Sequence, residues 1–379
     1  MKISRIGIGV IFSMAVIFCY ASCDRRRSGG NASKTSSEPE TPSASKISEA
    51  PKEKAYQFHS TVTYLAEGTD GTCGTEARYC YFGDWPQTVK ADSVTVNMAK
   101  SLTMGSATYY LGDDNNYYAK CTENAYTTGY KYSDGTDVAQ ISAGSEKYFK
   151  VEPIKWRVLN PGTSGNKILV AENILTANIP YYGSTDNRVQ NTTTIYANNY
   201  KYSNIRSYLN GTANHFVLDG GSATANDIDW SGKGFLQTAF TTSAQSLIAE
   251  SSVDNSDTST SDASGSIDKA IAYACENTND KIFLLSEKEV TRTDYGFSAF
   301  NESGQGNSRI RVATDYAKAN HAYQSTTAGY GGWWWLRSPS YGSSGLVRTI
   351  LNDGNATRND GVRGRNGGIV PALSISAGN

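Results

Sequence analysis

The sequence predicts an α+β domain of short antiparallel strands with a few helices and many loops. Three observations carry that expectation. Residues 149–159 alternate with a period of two, placing Ile154, Trp156 and Val158 on one face. Helix-start signals stand at Ser203, Ser286 and Thr314, residue types whose side chains cap helix starts. Finally, 36 glycines and 25 tyrosines, with frequent Asn, Ser and Thr, describe a loop-rich exported protein with a polar aromatic surface.

The chain begins with Lys2 and Arg5, then a run from 6 to 18 without a charged residue, then Tyr20-Ala21-Ser22-Cys23. A basic start, an apolar stretch too short to span as a mature helix, and small exit residues read as a secretory signal over 1–22. The exit resembles the lipobox of bacterial lipoproteins, with Tyr20 in the place of leucine, although Cys19 offers a second centre. The resemblance implies acylation of Cys23, attachment to the membrane through that lipid, and a position at the outer membrane or cell surface. Two or three acyl chains anchor stably where one does not.

Residues 23–54 are Ser, Lys, Glu, Pro and Gly with almost no large apolar side chain. Such a segment cannot offset its ordering entropy and reads as a disordered tether. Arg25, Arg26 and Arg27 lie where anionic headgroups would meet them. Residues 55–376 then form a single globular domain. The net charge of −1, with both signs interspersed, leaves no basic stripe for nucleic acid.

Within the domain, residues 56–65 alternate loosely, and 77–82 form a short aromatic strand ending at Gly83-Asp84-Trp85-Pro86. The strand at 149–159 pairs across a Pro-Gly turn with 167–171. Ser203 opens a helix burying Ile205, Tyr208 and Leu209. Residues 235–249 are helical with a break near Thr241. The segment 251–266 is Ser, Asp and Thr, and reads as a surface loop. An apolar strand at 281–285 leads into Ser286-x-x-Glu289, a capping box. Thr314 caps a short helix through Ala319, and 333–336, 345–350 and 369–375 close the domain as strands.

Four further cysteines, Cys73, Cys80, Cys121 and Cys275, invite disulfides in an exported protein. Cys73 with Cys80 would clip a hairpin, leaving Cys121 with Cys275; the count alone allows three pairings. A metal site is not expected, since the cysteine spacing matches no zinc motif and His59, His215 and His321 are the only histidines. No cofactor motif is present.

The C-terminal stretch is the most informative for function. Trp333, Trp334 and Trp335 cannot all face one side of a strand, so at least one is expected buried and one outward. Behind them runs a polar tail of Gly, Asn, Asp, Ser, Thr and Arg. The expected contact surface is Trp333, Trp334, Tyr341, Arg348, Asn352, Asp353, Asn355, Thr357, Arg358, Asn359, Asp360, Arg363, Arg365 and Asn366. Aromatic faces stack on sugars or apolar side chains, while Arg, Asn and Asp supply adaptable polar contacts. Arg337, beside Leu336 and near Pro339, is instead expected to pair with a core carboxylate. The segment 341–366 also has the composition produced by adenine-directed mutation of asparagine codons, although turn geometry favours the same residues.

The series Tyr-Phe-Gly-Asp-Trp-Pro-Gln-Thr (81–88), Ile-Lys-Trp-Arg-Val-Leu (154–159), Ser-Asn-Ile-Arg-Ser-Tyr-Leu-Asn (203–210), Ile-Phe-Leu-Leu-Ser (282–286), Ala-Thr-Asp-Tyr-Ala-Lys-Ala (313–319), Trp-Trp-Leu-Arg-Ser-Pro (334–339) and Pro-Ala-Leu (371–373) resembles a bacterial domain of unknown function. That family, frequent in Treponema-type lipoproteins, is marked by the tryptophan motif and a closing Val-Arg-Pro-Ala-Leu. Here Val370 stands where the family has its arginine. The resemblance covers nearly all of 77–375. Its C-terminal part is similar to C-type-lectin-like domains, including variable proteins diversified by retroelements, and this implies a lectin-like architecture.

Enzymatic signatures are missing from the sequence: no Gly-x-Ser-x-Gly elbow, no phosphate loop and no His-Glu-x-x-His. The acid pairs Asp113/Asp114 and Glu287/Glu289 fall in a turn and a cap. The expected function is a non-enzymatic surface recognition module for a protein or glycan ligand. An envelope assembly protein is the alternative, and a glycan hydrolase with scattered carboxylates is a third reading.

Overall fold

The segment with the clearest two-residue alternation forms the longest strand. In the computed structural model, residues 56–65, 72–73, 76–140, 145–213 and 226–378 are described. The strands are β1 (Tyr79–Val89), β2 (Val96–Met104), β3 (Ala107–Gly112), β4 (Tyr117–Thr122), β5 (Glu146–Val158) and β6 (Lys167–Ala171). Three short helices follow, α1 (Asn204–Asn210), α2 (Phe235–Ala239) and α3 (Thr242–Leu247), with β7 (Ile248–Ala249) and β8 (Ile282–Phe283). After α4 (Glu287–Val290) and α5 (Asp315–Ala319) come β9 (Trp334–Pro339), β10 (Leu346–Ile350), β11 (Arg358–Gly361) and β12 (Ala372–Ile375). The signal segment 1–22, Cys23 and all of the tether lie outside the described residues.

One large antiparallel sheet runs in the order β7-β12-β6-β5-β4-β3-β2, with β1 also on β5 and β8 on β12. β5 is the hub. β1 lies along one of its edges, from Phe149 to Arg157. The other edge is shared by β4 at residues 146–150 and by β6 at 156–158. Ile154, Trp156 and Val158 are fully buried as the alternation requires, and the Trp156 indole donates to the Phe82 carbonyl at 2.7 Å. The strand β9 begins a separate three-stranded sheet, β9-β10-β11, with β11 at its edge.

The expected α+β class is corrected: strands make up 34% of the chain and helices 12%, so the fold is mostly β with antiparallel sheets. The helices are too short to form a layer of their own. The meander β2-β3-β4 was not expected, and β1 runs on past Gly83, where a stop was expected. Gly83 has φ of 67° and sits in an irregular register, so a bulge carries the strand onward rather than ending it. A Cβ there would stand 2.4 Å from the Phe240 ring, which binds the position to glycine.

The capping expectations hold. The Ser203, Ser286 and Thr314 side chains each accept from the third residue of the following helix. Ser286 and Glu289 complete a reciprocal capping box. The helical region after residue 235 breaks at Phe240 and Thr241, both extended. The segment 251–266 is only partly a surface loop: residues 263–266 are exposed, but Ser259, Thr260, Ser261 and Asp262 are buried. Asp262 accepts from the Ile267 and Ser264 amides and Thr260 from the Ala270 amide, so turns of its own satisfy its polar groups. No described helix is long and apolar enough to cross a membrane.

Candidate functional site

The tryptophan triplet is a platform, not a contact surface. Trp334 and Trp335 are fully buried and Trp333 is 6% exposed. The expectation that one of them faces outward is corrected, because the returning tail covers the outer face. The Gly368 amide donates to Trp333 and its carbonyl accepts from Trp335, at 2.9 and 3.1 Å. Gly367 lies so close that a Cβ would come within 2.5 Å of both the Trp333 and Trp335 rings. Trp334 is pinned by its indole, which donates to the Arg309 carbonyl at 3.1 Å.

Arg348 is also withdrawn from the surface, at 2% exposure, since β10 is covered on its way through the small sheet. Its guanidinium lies 5.5 Å from the centre of the Tyr341 ring, which is 51% exposed. Asn352, Asp353 and Asn355 build turns: the Asp353 carboxylate takes the Asn355 amide, and the Asn355 side chain takes the Thr357 amide and hydroxyl. Asn359, Asp360 and Asn366 are partly buried, and burial raises the Asp360 carboxyl above its usual range. The residues left outward are Tyr341, Thr357, Arg358, Arg363 and Arg365. Among the described residues, Arg358, Arg363 and Arg365 pair with no carboxylate.

A cleft of about 450 Å³ adjoins this tail. Its walls come from β1, β3 and β4, the loop at 176–179, α1 and α5, segments whose distance in sequence hides them from any motif search. Trp85 and Tyr316 meet edge to face at 6.0 Å, and Tyr208 and Trp230 at 5.0 Å. The Trp85 indole donates to Leu175 at 2.9 Å, which fixes that wall. Asn178, in the left-handed region at φ 64°, joins cleft to tail. Its amide donates to the Arg365 carbonyl at 2.7 Å, and the Arg365 guanidinium donates back at 3.1 Å.

A second cluster is buried. Glu287 is fully enclosed, and neither carboxylate oxygen has a hydrogen-bond partner. Nε and Nη2 of Arg348 are likewise unpartnered. Burial pushes the Glu287 carboxyl up to about 8, against the pull of Arg348 and Arg309. Glu289 is different: it takes two bonds from Arg337, at 2.5 and 3.1 Å, which is the core pairing expected of that arginine. Asp114 accepts from Asn116 and Tyr118 within its turn, so neither acid pair has the open geometry of a catalytic dyad.

Neither expected disulfide forms. Cys80, Cys121 and Cys275 are free thiols. Cys80 is enclosed in the main core, while Cys121 and Cys275 pack on different apolar clusters; the side chain of Cys73 is outside the description. Burial pushes the Cys80 and Cys121 thiols up to about 12, which makes them poor nucleophiles.

The family described as "Domain of unknown function (DUF6273)" matches residues 164–377. That stretch starts just before β6 and runs through β12, so it holds the tryptophan platform, the arginine-bearing tail and half of the cleft wall. No curated protein and no solved structure matches the chain. The match takes in more than half of the sequence, and the chain therefore belongs to the DUF6273 family.

Proposed function

We propose that the protein is a lipid-anchored, non-enzymatic recognition module that binds an anionic ligand through its C-terminal face. The observation that carries the reading is the set of three exposed arginines, Arg358, Arg363 and Arg365, with no carboxylate partner among the described residues. Surface guanidiniums without a carboxylate partner are planar donors suited to carboxylate, sulfate or phosphate groups. Their backbone is held still: the turn after β11 is closed by a Gly364-to-Gly361 bond of 2.8 Å, and Val362 takes the Tyr182 amide at 3.0 Å. A fixed backbone lowers the ordering cost of binding. Exposed Tyr341, braced by Arg348, adds an aromatic face.

The lipobox resemblance at Cys23 supports the anchor. Trypsin applied to intact cells is expected to remove the protein, and a Cys23→Ser variant is expected to lose its membrane association.

The binding test uses arrays of sulfated and carboxylated glycans and acidic peptides. Replacing Tyr341, Arg358 and Arg363 together by alanine is expected to weaken capture by roughly 100-fold, given about 1.5 kcal/mol or more for each charge-assisted contact. Unchanged capture by the triple variant, or no anionic probe captured by the wild type, would overturn the reading.

A further inference from the structure

We propose that the aromatic cleft beside the tail is a binding site for a neutral pyranose unit of an oligosaccharide. This goes beyond the arginine face and stands without it.

The cleft has the size of a small-ligand site, about 450 Å³ against the roughly 300–1,000 Å³ typical of such pockets. Its charge is settled by its lining. Among the described residues no carboxylate lines it, and the one lysine that does, Lys120, is paired with Glu146 at 2.8 Å. An ionic ligand therefore finds no counter-charge there, and a hydrolytic acid pair is not at hand.

What the cleft does offer is aromatic faces with unused polar atoms at their rims. The Trp230 indole nitrogen is buried and has no hydrogen-bond partner. No hydrogen bond within the described residues engages the Tyr110, Tyr208 or Tyr316 hydroxyl, or the Asn178 side chain. The Asn178 backbone is spent on Arg365, which leaves its amide group to the cleft.

A pyranose ring has matching chemistry. Its C–H face lies on an aromatic wall, and its hydroxyls both donate and accept around the edge. A purely apolar ligand would leave the tyrosine hydroxyls and the Asn178 side-chain amide unsatisfied. The edge-to-face pairs Trp85–Tyr316 and Tyr208–Trp230 hold the walls in place before any ligand arrives.

The test is calorimetric titration of the wild-type domain with malto-, cello-, manno- and chito-trisaccharides, with tryptophan fluorescence read in parallel. Saturable binding of at least one neutral trisaccharide is expected, with a fluorescence change. Trp230→Ala is expected to weaken it roughly tenfold or more, and Tyr110→Ala, on the partly exposed wall, to weaken it in a protein of unchanged melting temperature. The Tyr341/Arg358/Arg363 variant is expected to bind the trisaccharide as the wild type does, which separates this site from the arginine face. The proposal is overturned if no neutral trisaccharide binds at about 1 mM, or if binding survives both the Trp230 and Tyr110 substitutions. Binding only of an apolar dye in the same cleft would equally overturn it.

Discussion

Arg337→Met is expected to destabilise the domain by about 3–5 kcal/mol, the cost of breaking a buried charge pair from one side. Arg337 is 2% exposed and spends its guanidinium on three partners. It donates to the Leu284 carbonyl at 2.7 Å, to the Asp254 carbonyl at 3.2 and 3.1 Å, and twice to the Glu289 carboxylate. Removing it orphans two carbonyls and leaves Glu289, itself one half of the α4 capping box, without its counter-ion. The turn at Asp254 and the stretch from Leu284 to Glu289 lose their common clasp. Arg337→Lys is expected to recover little, because one ammonium cannot reproduce a planar fork aimed at three acceptors. Urea midpoints of the wild type and the two variants measure this. A lysine variant as stable as the wild type would show that charge alone matters, and the fork argument would fail.

That clasp was partly legible from residue order. An arginine between Leu336 and Pro339 in a run of apolar residues has to meet a carboxylate or a carbonyl, since a buried guanidinium cannot stay bare. The capping box supplied Glu289, but which acid it would be was a matter of three-dimensional proximity. The strands at 149–158 and 167–171, and the caps at Ser203, Ser286 and Thr314, were readable because their signals are local: a two-residue alternation and an oxygen three residues before an amide.

Other elements had no such signal. β2 has six of its nine residues exposed, so it shows no apolar alternation to read. Ser259–Asp262 are polar yet buried, because short-range hydrogen bonds replace water around them and hydropathy does not register that exchange. The tryptophan triplet pointed to an outward ring on strand geometry alone. The return of Gly367 and Gly368 across it is a contact about thirty residues distant, made possible by glycines whose Cβ would collide with Trp333, Trp335 or Ile174. The cleft is the extreme case, assembled from residues between Trp85 and Asn320 with no recurring spacing.

Glu287→Gln is expected to stabilise the domain, by an amount that grows as the pH rises from about 4.5 to about 8. Glu287 holds its proton in the folded protein up to about pH 8, whereas the unfolded chain releases it near the ordinary value of 4.5. Between those limits the folded state binds more protons than the unfolded one, so raising the pH favours unfolding. Burial is the first cause, and Asp262 adds to it; Arg348 and Arg309 oppose both without cancelling them. Glutamine has the shape of the neutral acid and no proton to lose. Its variant should therefore match the wild type near pH 4.5 and exceed it by on the order of 4 kcal/mol above pH 8. Comparing the two proteins at each pH cancels every other titrating group they share. Urea unfolding at pH 5 and pH 9 reads the difference directly. An equal gap at both values would mean that Glu287 keeps its charge throughout, paired through Arg348 rather than neutralised by burial.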